Sequence, residues 1–229
     1  MEFKRLPNHI GFIIDGNGRW AIKRKLNRIA GHKYGVEAVK KTINALIEFN
    51  IKYASFFVFS TENFKRTNEE VENIFNLLRD YLKSNLEEYK NSGIRLIISG
   101  DITKLDKDLQ DSLKKVVEDT QNNNKLIVNM CLNYGGKQDI IQACNKIIKD
   151  KLEKVDEKIF KSYLYTSFMP PLDYVVRTSG EERISNFMLY DLAYAEFYFT
   201  KTYWPSFNKK SLKKALKAYE KRDRRFGKA

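Results

Sequence analysis

The 229-residue chain contains only two cysteines, four prolines and two histidines. Two thiols without metal-ligand spacing supply neither a disulfide framework nor a zinc cluster. Cys131 and Cys144 are therefore expected as buried free thiols in a reducing compartment. The sequence offers no Ser-His-Asp or Cys-His arrangement, which argues against covalent catalysis by a protein nucleophile. No apolar run approaches the ~18 residues that a membrane-spanning helix needs. No apolar h-region appears near the amino terminus, so secretion is not expected. Proline/serine-rich linkers, low-complexity tracts and internal repeats are missing too. One domain over residues 1–229 is the simplest reading, and the length suits a sizeable core.

What the chain has in excess is positive charge, a net +13. Such a balance points to an anionic partner: a phosphorylated substrate, nucleic acid or an acidic membrane surface. Residues 206–229 hold ten Lys/Arg against Glu220 and Asp223, so this segment alone carries +8.

Apolar, β-rich runs at 10–14, 53–59, 94–99, 125–132, 173–177 and 196–200 alternate with helical patterns. Most of the runs are continuous, as in strands covered on both faces. Residues 33–49 place Val36, Val39, Ile43, Leu46 and Ile47 on one helical face. Thr67 and Glu70 make a capping box for a helix whose stripe is Val71, Ile74, Phe75, Leu78 and Leu82. Residues 106–122 and 137–151 read as helices, Asp156 as a cap, and Leu212, Ala215, Leu216 and Tyr219 as a further stripe. The expected fold class is α/β: a mainly parallel, open sheet of about six strands flanked by helices.

In open α/β sheets, ligands bind beyond the carboxyl ends of the strands. Three polar clusters fall there: Asp15-Gly16-Asn17-Gly18-Arg19; Ser60-Thr61-Glu62-Asn63-Phe64 with Arg66; and Arg177-Thr178-Ser179-Gly180-Glu181 with Arg183 and Ser185. In the first, two glycines bring backbone N–H groups close to an anion, and Arg19 adds a fork of donors. A carboxylate beside a phosphate cradle makes sense if a hard divalent cation bridges the two, so the loop reads as a Mg2+-diphosphate site. Arg177, Arg183 and Ser185 suggest a second, separate anion pocket. Each cluster also has a plain reading: Asp-Gly-Asn-Gly as a common turn, Arg177 as a surface ion pair, Glu181 as the partner of Arg183. Gly16 to Ala21 fits G-x-G-x-x-A as well. A dinucleotide site is disfavoured, because Lys23–Arg28 lacks an apolar stripe and the next strand starts only near residue 53.

Together, these clusters resemble the cis-prenyltransferases, and within them the bacterial undecaprenyl diphosphate synthases. The matching residues run from His9-Ile10-Gly11-Phe12-Ile13-Ile14-Asp15-Gly16-Asn17-Gly18-Arg19-Trp20 through Arg28, Gly31-His32, Phe59 to Phe64 and Arg66. They continue with Asn133-Tyr134-Gly135-Gly136, Arg177 to Glu181, Arg183 to Phe187, Ala193 to Phe197, Trp204-Pro205 and Arg224-Arg225-Phe226-Gly227. The resemblance implies a Mg2+-dependent, homodimeric synthase that extends an allylic diphosphate, farnesyl diphosphate, with isopentenyl diphosphate through cis double bonds. It also implies an apolar tunnel, an undecaprenyl product used in cell-wall lipid-carrier synthesis, and a cytoplasmic location with peripheral membrane contact.

By the same resemblance, Asp15 and Asn63 are catalytic, and Asp15 holds Mg2+ with Glu196 adding to the metal environment. Gly16, Asn17, Gly18, Arg19 and Arg28 bind the allylic diphosphate, with His32 close by. Ser60, Arg66, Arg177, Arg183 and Ser185 bind isopentenyl diphosphate. Trp20, Thr61, Glu62, Phe64 and Glu181 complete the substrate site, and Arg225 and Gly227 close the neighbouring subunit's site. Phe64, Thr67 and Ser179 depart from the family's usual Trp, Pro and Gly. Ser179 is costly only where its backbone needs φ > 0.

The Val71–Leu82 stripe is the candidate tunnel wall, with Val58 as a depth gate; on its own the stripe reads as an ordinary core helix. Two other function classes compete. A nucleic-acid-binding module fits the charge, the aromatics and the lysine-rich end, yet carboxylates beside the arginines disfavour it, and Lys209–Lys228 also reads as a solvated helix face. A phosphohydrolase would use the same Asp15 metal site.

Overall fold

Strands built from continuous Ile, Val and Phe need cover on both faces, and the chain folds accordingly. The computed structural model describes residues 3–223. Its strands are β1 (His9–Ile13), β2 (Tyr53–Ser60), β3 (Ile94–Ser99), β4 (Leu126–Tyr134), β5 (Tyr174–Arg177) and β6 (Glu196–Phe199). All pair in parallel, in the order β3-β4-β2-β1-β5-β6. The helices are α1 (Asn17–Lys23), α2 (Arg28–Glu48), α3 (Asn68–Ser92), α4 (Lys107–Asp119), α5 (Gly136–Lys149), α6 (Glu157–Tyr163) and α7 (Lys209–Glu220).

Alternation along each strand divides the core. Ile10, Phe12, Ala54 and Phe56 join the larger cluster, which packs under α2, α3, α4 and α7. Ile13, Phe57, Cys131 and Val175 join a smaller one on the other face, where Asp139 of α5 accepts from Tyr134 Oη. Phe12 stacks on Phe56 with 4.9 Å between ring centres. Trp204, fully buried, donates from Nε1 to the carbonyl of Gly35 and ties the segment after β6 to α2.

β1 lies between β2 and β5, and the strands that follow β1 and β5 in the chain, β2 and β6, lie on opposite sides of this pair. The carboxyl edge at β1 is thus where an open sheet forms its crevice.

The element boundaries differ from expectation by one or two residues for the strands and by more at two other points. A helix does follow Gly16 at once, but it is seven residues long, and β2 begins only at Tyr53. The dinucleotide reading therefore fails on the length of the unit, not on the absence of a helix. α2 starts at Arg28, five residues before the expected stripe, because Asn27 Oδ1 accepts from Ala30 N and caps it. Cys144 is exposed on the outer face of α5, contrary to expectation, whereas Cys131 is buried. Among the described residues, no helix is long and apolar enough to cross a membrane.

Candidate active site

β1 ends on an apolar residue and hands Asp15 to the crevice. The turn depends on Gly16, whose φ of 102° lies in the left-handed region. Asp15 is sewn to the neighbouring strand end by Thr178, whose Oγ1 accepts from Asp15 N and donates to Asp15 O. α2 then closes on the loop. A Cβ on Gly31 would stand 2.1 Å from the Asn17 carbonyl oxygen, so only glycine permits this approach. Asn17 Oδ1 is buried there without a hydrogen-bond partner.

Arg177, 3% exposed, reaches Asp15 Oδ2 from Nη2 at 3.1 Å. Its Nη1 donates to Ser185 Oγ at 2.8 Å and to the carbonyl of Arg183. Its Nε is buried and unpartnered. Arg19 lies 3.2 Å from the same Asp15 oxygen and donates to Glu181 at 2.6 Å and to Ser179 Oγ at 2.7 Å. Burial works to raise the Asp15 pKa. The hydrogen bond from Arg177 and the charges of Arg19 and Arg177 outweigh it, so the carboxyl titrates below its ordinary value. Arg183 pairs with Glu181 at 2.6 Å. The first and third clusters are thus joined by one ion-pair network through Asp15 and Glu181.

The second cluster is held by β2. A register shift leaves Val58 as an extra residue between Phe57, which pairs with Cys131, and Phe59, which pairs with Leu132. The bulge aims Val58 into the site. Ser60 and Asn63 then cap each other: Asn63 Oδ1 accepts from Ser60 N, and the Ser60 side chain accepts from the Asn63 backbone. Glu62 accepts from Asn186 Nδ2 at 2.9 Å. The facing loop carries Ser179, Ser185, Asn186 and Met188 at φ of 77°, 48°, 66° and 38°. Ser179 thus meets the condition under which it is costly, and strain of this kind gathers at functional sites.

A cavity of about 540 Å3 opens between these elements, lined among others by Asp15, Asn17, His32, Ser60, Glu62, Asn63, Arg66, Arg177 and Ser185. A smaller recess of about 120 Å3 adjoins it, formed by Asp15 to Arg19 with Arg28, His32 and Arg66. Arg66 accordingly stands with Arg28 and His32 rather than with Arg177 alone. Below lies an apolar recess of about 70 Å3 between α2 and α3, bounded by Val36, Val39, Val58, Ile74, Leu78 and Tyr81. Of the expected stripe, Ile74 and Leu78 face this recess, Leu78 from within the core cluster that also holds Val71, Phe75 and Leu82.

Several expected residues stand back from the cavities. Trp20 is buried against Tyr34 and donates to Ser206 Oγ. Thr61 donates to Glu62. Phe64 packs on Phe59 and Phe75. Glu181 and Arg183 pair with each other at the rim, as the plain reading had it. Glu196 opens β6 at its amino end opposite Tyr174, facing Arg222 at 3.6 Å, whereas Asp15 follows the carboxyl end of β1. Parallel pairing therefore keeps Glu196 away from Asp15 within one chain. Arg225 and Gly227 lie outside the described residues. The sequence reading gave no site role to Asn186, present only within the matched run Arg183 to Phe187, or to Glu70, read as a helix cap, which contacts Arg28, His32 and Arg66.

Among the described residues, no cluster of three or more His, Cys, Asp or Glu side chains is arranged to hold a metal. Of the two carboxylates that line the larger cavity, Glu62 is taken up by Asn186, whereas Asp15 also lines the smaller recess among the phosphate donors. One such carboxylate suits Mg2+, which is bound by one or two carboxylates together with substrate phosphates and water.

Comparison with known proteins agrees with this architecture. A family described as putative undecaprenyl diphosphate synthase matches residues 13–227. The isoprenyl transferase of Clostridium tetani is 42% identical over 99% of this chain and 91% of its own length. That of Leptospira interrogans is 44% identical over 97% and 95%. The structure of lavandulyl diphosphate synthase from Lavandula x intermedia, in complex with dimethylallyl diphosphate, superposes with a TM-score of 0.93 at 33% identity, covering 97% of this chain and 99% of that one. A probable undecaprenyl diphosphate synthase from Campylobacter jejuni gives 0.83 at 32% identity, over 98% and 100%. With strand order, cradle and sequence in agreement, the chain belongs to the undecaprenyl diphosphate synthase family of prenyltransferases.

Proposed function

We propose that the protein condenses isopentenyl diphosphate onto an allylic diphosphate, farnesyl diphosphate, to build a long polyprenyl diphosphate, with residues 1–229 as one domain of this kind. The observation that carries the reading is one of continuity. A cationic, phosphate-sized recess and an apolar recess share the lining residues Ile14, Asn17 and His32, which suits a molecule charged at one end and hydrocarbon at the other. Nucleic acid has no use for the second recess.

In this reaction a carbon–carbon bond forms at the allylic carbon, its bond to diphosphate breaks, and a proton leaves the isopentenyl unit. Positive charge develops on the hydrocarbon and negative charge on the departing diphosphate. The backbone N–H groups at the start of α1, with Arg19, Arg28 and Arg66, bind and stabilise that diphosphate. Arg177 and Ser185 orient the second one beside it, and Asn63 fixes the Ser60 turn between them. Asp15 would hold Mg2+, which neutralises diphosphate charge. The apolar walls of α2 and α3 exclude water from the allylic centre.

The fit to Mg2+ rests on Asp15 being a depressed, cavity-facing carboxylate among phosphate donors. A homodimer is part of the proposal, supported by apolar surface at Ile141, Ile148 and Phe168. So are an undecaprenyl product for a cell-wall lipid carrier and a cytoplasmic enzyme whose lysine-rich α7 faces an acidic membrane surface.

Pure protein incubated with farnesyl diphosphate, radiolabelled isopentenyl diphosphate and Mg2+ is expected to release pyrophosphate only with both substrates and to yield a labelled polyprenyl lipid. Inorganic phosphate released without isopentenyl consumption would instead identify a phosphohydrolase.

A further inference from the structure

Glu70 lines none of the three cavities, yet one of its oxygens gathers three residues that do. Oε1 lies 2.9 Å from Arg66 Nη1, 3.5 Å from His32 Nε2 and 3.8 Å from Arg28 Nη2. All three donors line the recess of about 120 Å3. The sequence sets up Glu70 for a different task. In a capping box its carboxylate would turn back to the Thr67 N–H. Only half of that box forms: Thr67 Oγ1 accepts from Glu70 N at 3.3 Å, and the carboxylate points to the cations instead.

An ion pair kept only for stability would be poor use of this carboxylate. The side chains of Arg28 and Arg66 are 60% and 36% exposed, and exposed pairs contribute little to folding. A carboxylate behind the cradle does something else. It offsets the mutual repulsion of the two arginines and restrains these long side chains, which would otherwise spread into solvent. Restraint before binding lowers the entropic cost of closing on an anion. Because Glu70 sits outside the recess, an incoming diphosphate has no need to displace it.

We infer that Glu70 is a positioning residue for the diphosphate cradle, holding Arg66, His32 and Arg28 on the recess from behind. The inference rests on the diphosphate reading above, but part of its test does not require turnover.

The full chain is compared as wild type, Glu70→Ala and Glu70→Gln, with Glu69→Gln removing an equal charge from the same helical turn. Glu70→Ala is expected to raise KM for the allylic diphosphate about tenfold with kcat within about threefold, and to weaken binding of inorganic pyrophosphate by a similar factor. Glu70→Gln should fall between, and Glu69→Gln should match wild type.

His32 provides a readout that loss of structure moves the opposite way. Burial, then Arg66 and Arg28, hold its pKa below the ordinary 6.5, while Glu70 pulls it upward. With only two histidines in the chain, proton NMR separates it from His9. Glu70→Gln should lower the His32 pKa further; local unfolding would raise it toward 6.5.

Unchanged KM and pyrophosphate affinity in Glu70→Ala would overturn the inference, and so would a His32 pKa that rises together with a collapse of kcat. A wild type that binds pyrophosphate but consumes no isopentenyl diphosphate would refute the functional reading while the pyrophosphate and NMR results still decide the role of Glu70.

Discussion

The site has two ends built on opposite rules. Its rim is polar and internally paired: Asp15, Arg19, Arg177, Glu181 and Arg183 form one connected ion-pair network before any ligand arrives. The recess below is lined by side chains of the same types that fill the core, and little but their position distinguishes them from it. The rim provides fixed charge for chemistry that moves charge; the recess provides space for a chain that grows. Damage to the first should therefore cost rate, and damage to the second should alter what is made.

The largest effect is expected from Asp15→Ala. Removing the carboxylate should lower kcat by about 100- to 1000-fold, with an unchanged circular dichroism spectrum. Near-normal turnover would show that the rim does not work through Asp15.

Acid should separate the site from the fold. His9, buried at the amino end of β1, has its pKa lowered from 6.5 to about 4 by desolvation, against the opposing hydrogen bond to Pro170. Its neutral ring donates from Nδ1 to the Pro170 carbonyl and accepts at Nε2 from Ser55. A depressed histidine pKa means that the unfolded chain takes up the proton first, so stability falls as pH drops from 6.5 toward 4, by up to ~3 kcal/mol. The Asp15 carboxyl behaves differently. Its contribution is present above the ordinary value of 3.8 and is lost only as pH falls through its lower folded value. The urea midpoint should thus fall between pH 7 and 4 while the rim stays charged, and His9→Gln should flatten that slope.

The recess is probed at Val58. Val58→Phe should shorten the product and Val58→Ala should lengthen it, with the first condensation within about threefold of wild type. Unchanged product lengths in both would remove Val58 as a gate.

The smallest effect concerns the strained loop facing the rim. Ser179→Ala and Ser179→Gly both lose the hydroxyl that accepts from Arg19. At φ of 77° the glycine variant should nevertheless be more stable than the alanine variant by about 1 kcal/mol, read from urea midpoints.

The same contrast explains what the sequence disclosed. Asp15-Gly16-Asn17-Gly18-Arg19 was readable because turn glycines and a carboxylate at a strand end have few other uses. The parallel sheet was readable from continuous apolar strands. The recess was not, since Ile74 and Leu78 carry the same helical periodicity as the core residues Val71, Phe75 and Leu82. The bulge at Val58 depends on register with β4, which local pattern does not encode. Glu70 had a complete local explanation as a helix cap, and only the approach of α2 to α3 shows that its carboxylate serves Arg28 and His32. Glu196 shows the reverse: a carboxylate among aromatics reads as a site residue, yet parallel pairing puts it at the amino end of its strand, away from Asp15 of the same chain.

The most direct test is a crystal grown with Mg2+, isopentenyl diphosphate and a non-reactive thio analogue of farnesyl diphosphate. The account predicts two diphosphates at the carboxyl edge of β1 and β5, one on Asn17 to Arg19 with the ion at Asp15, the other on Arg177 and Ser185, and a farnesyl chain running down between Val39 and Ile74. Diphosphates bound elsewhere, or a farnesyl chain lying on the outer surface with the α2–α3 recess closed, would contradict it.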